Sequence, residues 1–317
     1  MLQEIIMIIG GVFFLFTGGE AILKGSLSLA RIFKLSGFLV SAVIIGFGTS
    51  LPEFSVSMGA AMSGSPDIAL GNVIGSNISN IFLIIGVSCL VSPLRLEKCN
   101  MDRDIAMMVF SALVLSLLSY FSLLNYISGA LMLIALIGYI FLCYKLDRVN
   151  HSKTTKHLVE CIELEQCSSI PKAFVYSIGG LLFLLLGSWL MVQGATSIAR
   201  ILNISEAIIG LSAVAIATSL PELSTAIIAS YKKHSDIILG NILGSNVFNC
   251  FFVIGATSII QEISVADRIA KFDVWIMLAA SIFFGVLLKF FSELNRLIGV
   301  IFLTIHVLYI SWLYTVI

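Results

Sequence analysis

The chain has 317 residues, of which 59% are hydrophobic and 11% charged, and its eighteen basic and eighteen acidic side chains cancel to no net charge. A soluble protein needs roughly a quarter of its residues charged to cover its surface, so a soluble helical protein with a large core is excluded. Zero net charge leaves no bulk electrostatic reason to bind nucleic acid or another polyanion.

The apolar residues fall in blocks of about 20, the length that crosses ~30 Å of hydrocarbon at ~1.5 Å per residue. The fold class expected is therefore an all-α integral membrane protein. Ten spans are predicted, at residues 4–23, 37–61, 68–91, 104–123, 126–145, 173–192, 206–230, 237–260, 272–291 and 296–316. The first begins almost at Met1, without a basic leader or a small-residue cleavage site, and reads as a membrane helix and not a removable signal. One long polar stretch interrupts the pattern, which divides the chain into a five-span unit (1–146), a linker (147–172) and a second five-span unit (173–317). Six scattered cysteines read as small apolar residues. His151, His157, Cys161 and Cys167 share the linker but lack zinc-site spacing.

The two units are copies. At a fixed offset of 169, Thr49–Gly86 aligns with Thr218–Gly255 without a gap, and 19 of 38 positions are identical. Upstream, Gly10, Gly11, Gly18 and Gly25 face Gly179, Gly180, Gly187 and Gly194. Shared apolar composition would match Leu with Ile; it would not match Gly, Pro, Glu and Asn. An odd number of spans inverts the second copy in the membrane. With the N-terminus outside, fifteen Lys and Arg fall on the cytoplasmic side and three (Arg200, Arg268, Lys271) outside. That bias predicts both termini outside and a cytoplasmic 147–172 loop in a cell membrane. Inverted repeats are the plan of many secondary transporters, whose sites lie at the midplane.

Spans two and seven each carry Thr-Ser-Leu-Pro-Glu, at Thr49–Glu53 and Thr218–Glu222. Pro52 and Pro221 have no amide hydrogen, so the carbonyls of Gly48 and Ala217 are expected to lose their helical donors. Lipid cannot replace those bonds. Glu53 and Glu222 each cost at least ~2.5–3.5 kcal/mol at the membrane centre, which marks them as functional and not as mere helix pins. Thr49, Ser50, Thr218 and Ser219 add hydroxyls beside them. Spans three and eight carry Gly-Asn-x-x-Gly-Ser-Asn-x-x-Asn. There Asn72, Ser76 and Asn80 make one stripe at i, i+4, i+8, and Asn241, Ser245 and Asn249 repeat it. Asn72 and Asn241 are read as interhelical hydrogen-bonding residues; Ser76, Asn80, Ser245 and Asn249 are read as ligands. Every donor is a hard oxygen, suited to Na⁺ or Ca²⁺ and not to soft transition metals. The fixed charge of −2 matches one Ca²⁺ or more than one Na⁺.

At these residues the chain resembles the sodium/calcium exchanger family, in its short prokaryotic form. The resemblance covers nearly the whole chain. It implies ten helices in two inverted repeats, with helices two, three, seven and eight broken at the core and helices one and six long, tilted and mobile. It implies ion ligation by Thr49, Ser50, Glu53, Ser76, Asn80, Thr218, Ser219, Glu222, Ser245 and Asn249, and by the carbonyls of Gly46 and Ala215. Asn249 is Asp in some relatives, including K⁺-dependent ones, so its amide implies K⁺ independence. The short linker implies no Ca²⁺-sensing domain.

The function expected is an antiporter that exchanges Na⁺ for Ca²⁺ by alternating access, electrogenic if the Na⁺ load exceeds two charges. No cofactor, nucleic acid or protein partner is expected, and a monomer suffices. The alternative is a H⁺/Ca²⁺ exchanger that uses the same two glutamates. A channel would require an oligomeric pore. An enzyme would require a nucleophile–base pair, and none of the four histidines lies near the motifs. Glu20 is read either as an interfacial carboxylate or as part of an ion entrance.

Overall fold

A computed structural model describes residues 2–33, 35, 37–64, 66–96, 101–149, 169–201 and 218–316. Helix α1 is Leu2–Phe33. Residues 37–49 form a short helical run, α2, with a π-helical turn at Ser41–Ile45. After Ser50 the chain restarts as α3, Leu51–Met62. There follow α4 (Pro66–Val91), α5 (Asp102–Tyr120), α6 (Tyr126–Val149) and α7 (Ile170–Ile201). The rest comprises α8 (Leu220–Tyr231), α9 (Ser235–Ile260), α10 (Ile269–Phe290) and α11 (Arg296–Val316). Two-residue strands, β1 (Leu94–Arg95) and β2 (Glu293–Leu294), pair antiparallel. Among the described residues, eight helices are long and apolar enough to span a bilayer.

Burial separates core from periphery. The apolar window of α9 is 94% buried and that of α4 is 72%, whereas those of α1, α7 and α11 are 28% or less. The two glycine-asparagine helices are thus the centre of the protein, and helices with lipid-length apolar faces surround them.

Helix α1 differs from expectation. It was predicted to end near residue 23 but continues to Phe33. Residues 24–33 include Lys24, Ser26, Ser28 and Arg31 and fail as hydrocarbon-spanning sequence. They stay helical because they pack on α7: a side chain on Gly25 would meet the backbone of Ser177 and Ala173. At 32 residues each, α1 and α7 are ~48 Å long, well beyond a ~30 Å hydrocarbon layer, and must tilt or project from it. Glu20 therefore sits well inside the helix. Its carboxylate lies 3.3 Å from Lys232, just past the end of α8.

The matched glycines meet one another. Gly11 packs against Gly187, Gly18 against Gly180 and Gly194 against the carbonyl of Glu4, so α1 and α7 run antiparallel with their backbones in contact. Other pairs repeat the same exchange. Helices α5 and α10 are antiparallel, with Ser116 donating to the Val274 carbonyl at one end and Gly285 against Ile105 at the other. Gly86 of α4 packs on Gly299 of α11, and Gly255 of α9 packs on Gly129 of α6. Buried Asp104 ties α5 to α6: it pairs with Arg103 of its own helix at 2.9 Å and accepts from the Tyr139 hydroxyl of α6 at 2.7 Å. Its counterpart Asp273, 169 residues on, lies 3.7 Å from Arg268.

The glycine seam yields a local test. A Cβ on Gly180 would meet the Ile22 backbone nitrogen and lie 2.8 Å from the Gly18 carbonyl oxygen, whereas one on Gly179 meets nothing within 4 Å among the described residues. Gly180→Ala is expected to cost about 1–3 kcal/mol through overpacking. Gly179→Ala should be neutral or gain up to ~1 kcal/mol of helix propensity. Thermal unfolding of the two variants in detergent measures the difference.

Candidate cation site

The site begins with a helix break. Proline is tolerated in a helix's first turn, where its missing N–H has no partner to lose. Pro52 and Pro221 occupy that place in α3 and α8. Just before them the backbone leaves helical geometry at Ser50 (φ −82°, ψ 1°) and again at Ser219 (φ −85°, ψ 1°). One expectation is corrected here. The Gly48 carbonyl is not left free, because backbone N–H groups at this break turn back to the carbonyls of both Gly46 and Gly48. The tight turn recovers what the proline removes. Ala217, its counterpart, and Ala215 lie outside the described residues.

Helices α4 and α9 also differ from expectation: they are continuous, not broken. Each instead carries a π-helical turn, Asn80–Ile84 and Asn249–Ile254, which begins at the candidate asparagine. A π turn inserts one residue into the helical register, and such turns recur at functional sites.

The structure brings the candidates together. Thr49, Ser50, Glu53, Ser76, Asn80, Thr218, Ser219, Glu222, Ser245 and Asn249 are all buried, none more than 4% exposed. Contacts cross between the halves. The hydroxyls of Thr49 and Ser245 are 3.3 Å apart, and Ser245 donates to the Gly46 carbonyl at 3.4 Å. Thr49 donates to Asn241 Oδ1 at 3.4 Å, and its counterpart Thr218 donates to Asn72 Oδ1 at 3.5 Å. Ser76 donates to Glu53 Oε1 at 3.5 Å. The carboxyl groups of Glu53 and Glu222 lie within electrostatic reach of each other. They converge from opposite copies of one motif.

As expected, Asn72 and Asn241 link helices. The Asn72 amide donates to the Glu53 carbonyl at 3.2 Å and to Ser57 at 3.1 Å, and Asn241 donates to Thr225 at 3.1 Å. Two other asparagines had been given no role. Asn246 accepts from the Asn80 amide at 2.9 Å, and Asn77 accepts from the Asn249 amide at 3.1 Å. The available signal was that both are identical across the repeat while lying off the ligand stripe.

Seven buried side-chain oxygens of the site have no hydrogen-bond partner among the described residues: Ser50 Oγ, Ser219 Oγ, Glu53 Oε2, both carboxyl oxygens of Glu222, and Oδ1 of Asn80 and Asn249. Leaving a buried acceptor unsatisfied costs about 1–3 kcal/mol. Orphans on this scale, in one place and all oxygen, fit a hard cation as the missing partner. Histidine and cysteine clusters with metal-binding spacing are absent among the described residues.

Comparison with known proteins agrees. The family model for "Sodium/calcium exchanger protein" matches residues 4–145 and 172–315, once for each half. A putative antiporter, CaxA, from Alkalimonas amylolytica is 34% identical over 89% of this chain and 88% of its own length. The sodium/calcium exchanger MaX1 of Methanosarcina acetivorans is 26% identical over 96% of each. Among solved structures, the sodium-calcium exchanger NCX_Mj superimposes with a TM-score of 0.83 at 28% identity, over 98% of each chain. The fold and site define a multi-pass membrane antiporter, a transporter and not an enzyme. The chain belongs to the sodium/calcium exchanger family.

The orphaned hydroxyls make a prediction that separates ligation from packing. Ser50 and Ser219 contribute no hydrogen bond from their side chains among the described residues. Ser50→Ala and Ser219→Ala should therefore leave ion-free stability within about 0.5 kcal/mol of the parent. The rise in melting temperature on adding Ca²⁺ should shrink, because binding to the folded state alone stabilises by mass action. Melting curves with chelator and with Ca²⁺ check both parts.

Proposed function

We propose that this chain exchanges Na⁺ for Ca²⁺ by alternating access of a single site, formed where two inverted repeats meet. The observation that carries the reading is the group of seven orphaned oxygens, drawn from both halves and including both glutamates. Glu53 and Glu222 supply the charge. Thr49, Ser50, Ser76, Asn80, Thr218, Ser219, Ser245 and Asn249 supply neutral oxygens, and the carbonyls of Gly46 and Ala215 complete the cage. Two ionised glutamates balance one Ca²⁺. The same oxygens hold several Na⁺ but not both loads at once, and that exclusion couples the two fluxes.

Asn249 adds no third charge, which favours a cycle that needs no K⁺. A Na⁺ load above two charges makes each turnover electrogenic, worth ~2.3 kcal/mol per net charge per 100 mV. The architecture proposed is ten spans: repeats at 1–146 and 173–317, with a cytoplasmic linker at 147–172. The antiparallel pairing of α1 with α7 and of α5 with α10 supports inversion, since these are corresponding helices of the two halves. The distribution of Lys and Arg supports both termini on the outer side of a cell membrane. The glycine-seamed α1–α7 pair is the moving element, and one chain carries out the whole cycle. Named relatives add weight: MaX1 and NCX_Mj are both sodium/calcium exchangers.

The test is ⁴⁵Ca²⁺ uptake into proteoliposomes. An outward Na⁺ gradient should drive uptake, and a pH gradient in K⁺ medium should not. Uptake on the pH gradient alone would establish proton exchange instead. Glu53→Gln or Glu222→Gln should reduce Na⁺-driven flux at least about a hundredfold, since removing one partner of a buried charged interaction costs about 3–5 kcal/mol. Near-parental flux in either variant would refute the site.

A further inference from the structure

A primary amide shows two faces to its surroundings, an oxygen that accepts and an NH₂ that donates. A cation is bound by the first and repelled by the second. The two candidate ligands of this type, Asn80 and Asn249, therefore work only in one of two near-isosteric orientations. Something outside the site must choose between them.

The hydrogen bonds identify what chooses. Asn246 places its amide nitrogen 3.6 Å from the Met108 sulfur. A thioether has no hydrogen to give and can only accept, so the Asn246 NH₂ is fixed toward Met108 and its Oδ1 toward Asn80. That oxygen takes the Asn80 NH₂ at 2.9 Å. The Asn80 oxygen is left buried, turned away from this bond and without a partner. The other half repeats the logic. The Asn77 NH₂ lies 3.5 Å from the Met277 sulfur, 3.1 Å from Cys250 Sγ and 3.5 Å from the Asn246 carbonyl oxygen. Two of these three can only accept. Asn77 Oδ1 therefore takes the Asn249 NH₂ at 3.1 Å, and the Asn249 oxygen is the one left free.

The three tiers obey the repeat. Met108 and Met277, Asn77 and Asn246, and Asn80 and Asn249 are each 169 residues apart. The chain of contacts alternates between halves, so each ligand is turned by the opposite copy. Met108 and Asn80 come from the first half and Asn246 between them from the second; Met277 and Asn249 come from the second and Asn77 from the first.

We propose that Asn77 and Asn246 are positioning residues that turn the ligand amides of Asn249 and Asn80 so that only oxygen faces the transported cation, each held in that orientation by a methionine thioether of the other repeat. This rests on the ligand role given above to Asn80 and Asn249.

The experiment measures the half-saturating Ca²⁺ concentration and the maximal rate of Na⁺-driven ⁴⁵Ca²⁺ uptake, with the full chain in proteoliposomes. The variants are Asn80→Ala, and Asn246→Leu, the smaller Asn246→Ser and Met108→Leu, each of these three alone and combined with Asn80→Ala. Asn246→Ser should raise half-saturation about tenfold, the loss expected for one well-placed charge-assisted contact, with a smaller change in maximal rate. Met108→Leu, nearly isosteric and tolerated by packed interiors, should raise it a few-fold. In the Asn80→Ala background, where no amide remains to be turned, both effects should vanish. Equal losses with and without Asn80, or parental half-saturation in Asn246→Ser, would overturn the proposal. If Asn246→Leu fails to fold, the serine and methionine variants decide the matter alone. Parental half-saturation in Asn80→Ala itself would defeat the ligand reading instead, a separate outcome.

Discussion

Two carboxyl groups, Glu53 and Glu222, are buried inside a protein whose outer helices are long and apolar. Everything else in the architecture follows from making that arrangement tolerable. Hydrocarbon cannot solvate Glu53 or Glu222, and neither half of the chain could hold a divalent ion with one carboxylate. Duplication supplies a second carboxyl group, and corresponding helices of the two halves pair antiparallel. The helix break before each glutamate turns Thr, Ser and Glu toward one point, and the facing helix adds Ser and Asn. Because corresponding contacts appear twice with the halves exchanged, as in Thr49 with Asn241 and Thr218 with Asn72, the site is close to symmetric. A binding site of that kind has no built-in inside or outside. Direction must come from the helices around it.

The packing supports this division of labour. Helices α4 and α9 are buried at the centre and are cross-linked to each other by amide hydrogen bonds. Helices α1 and α7 are mostly exposed and join each other along glycines, with Phe14 edge-on to Phe183 and Lys24 over the Tyr176 ring beside the seam. A polar core tied by short hydrogen bonds resists deformation, because breaking one leaves a buried group unpaired. A peripheral helix pair tied to the rest by a partly exposed ion pair, Glu20 with Lys232, would face less of that penalty in a shift.

How much of this the sequence disclosed depended on the type of signal. Eight of the ten expected spans, found among the described residues, and the duplication were legible because hydropathy and a fixed 169-residue offset are properties of the chain alone. The candidate residues that the fold gathers and buries were legible because Pro beside Glu in an apolar run is hard to explain except as a site. Three features were not legible. The length of α1 depends on packing against α7, which no local propensity reveals. The π turns at Asn80 and Asn249 leave no mark in an otherwise regular helical pattern. The partner of the Gly48 carbonyl was hidden because proline signals a lost donor, whereas the tight turn that replaces it depends on backbone geometry. The roles of Asn77 and Asn246 were half legible: their identity across the repeat was plain, but their bonding partners lie in another helix.

Those amides also bear on the charge of the site. Position 249 is an amide whose NH₂ points at Asn77 Oδ1, 3.1 Å away. A carboxylate at 249 would set two acceptors against each other there, unless Asn77 turned its NH₂ inward and gave up the Met277 sulfur and the Asn246 carbonyl. The neutral ligand and the orientation of its neighbour are thus one choice, not two. In the proposed cycle a neutral 249 holds the fixed charge at two, equal to the charge of one Ca²⁺, so the loaded site would be neutral and its burial would carry little net electrostatic cost. An extra carboxylate would demand an extra cation in every loaded state. On the proposed reading, the hydrogen bond between Asn77 and Asn249 goes together with a fixed site charge of two.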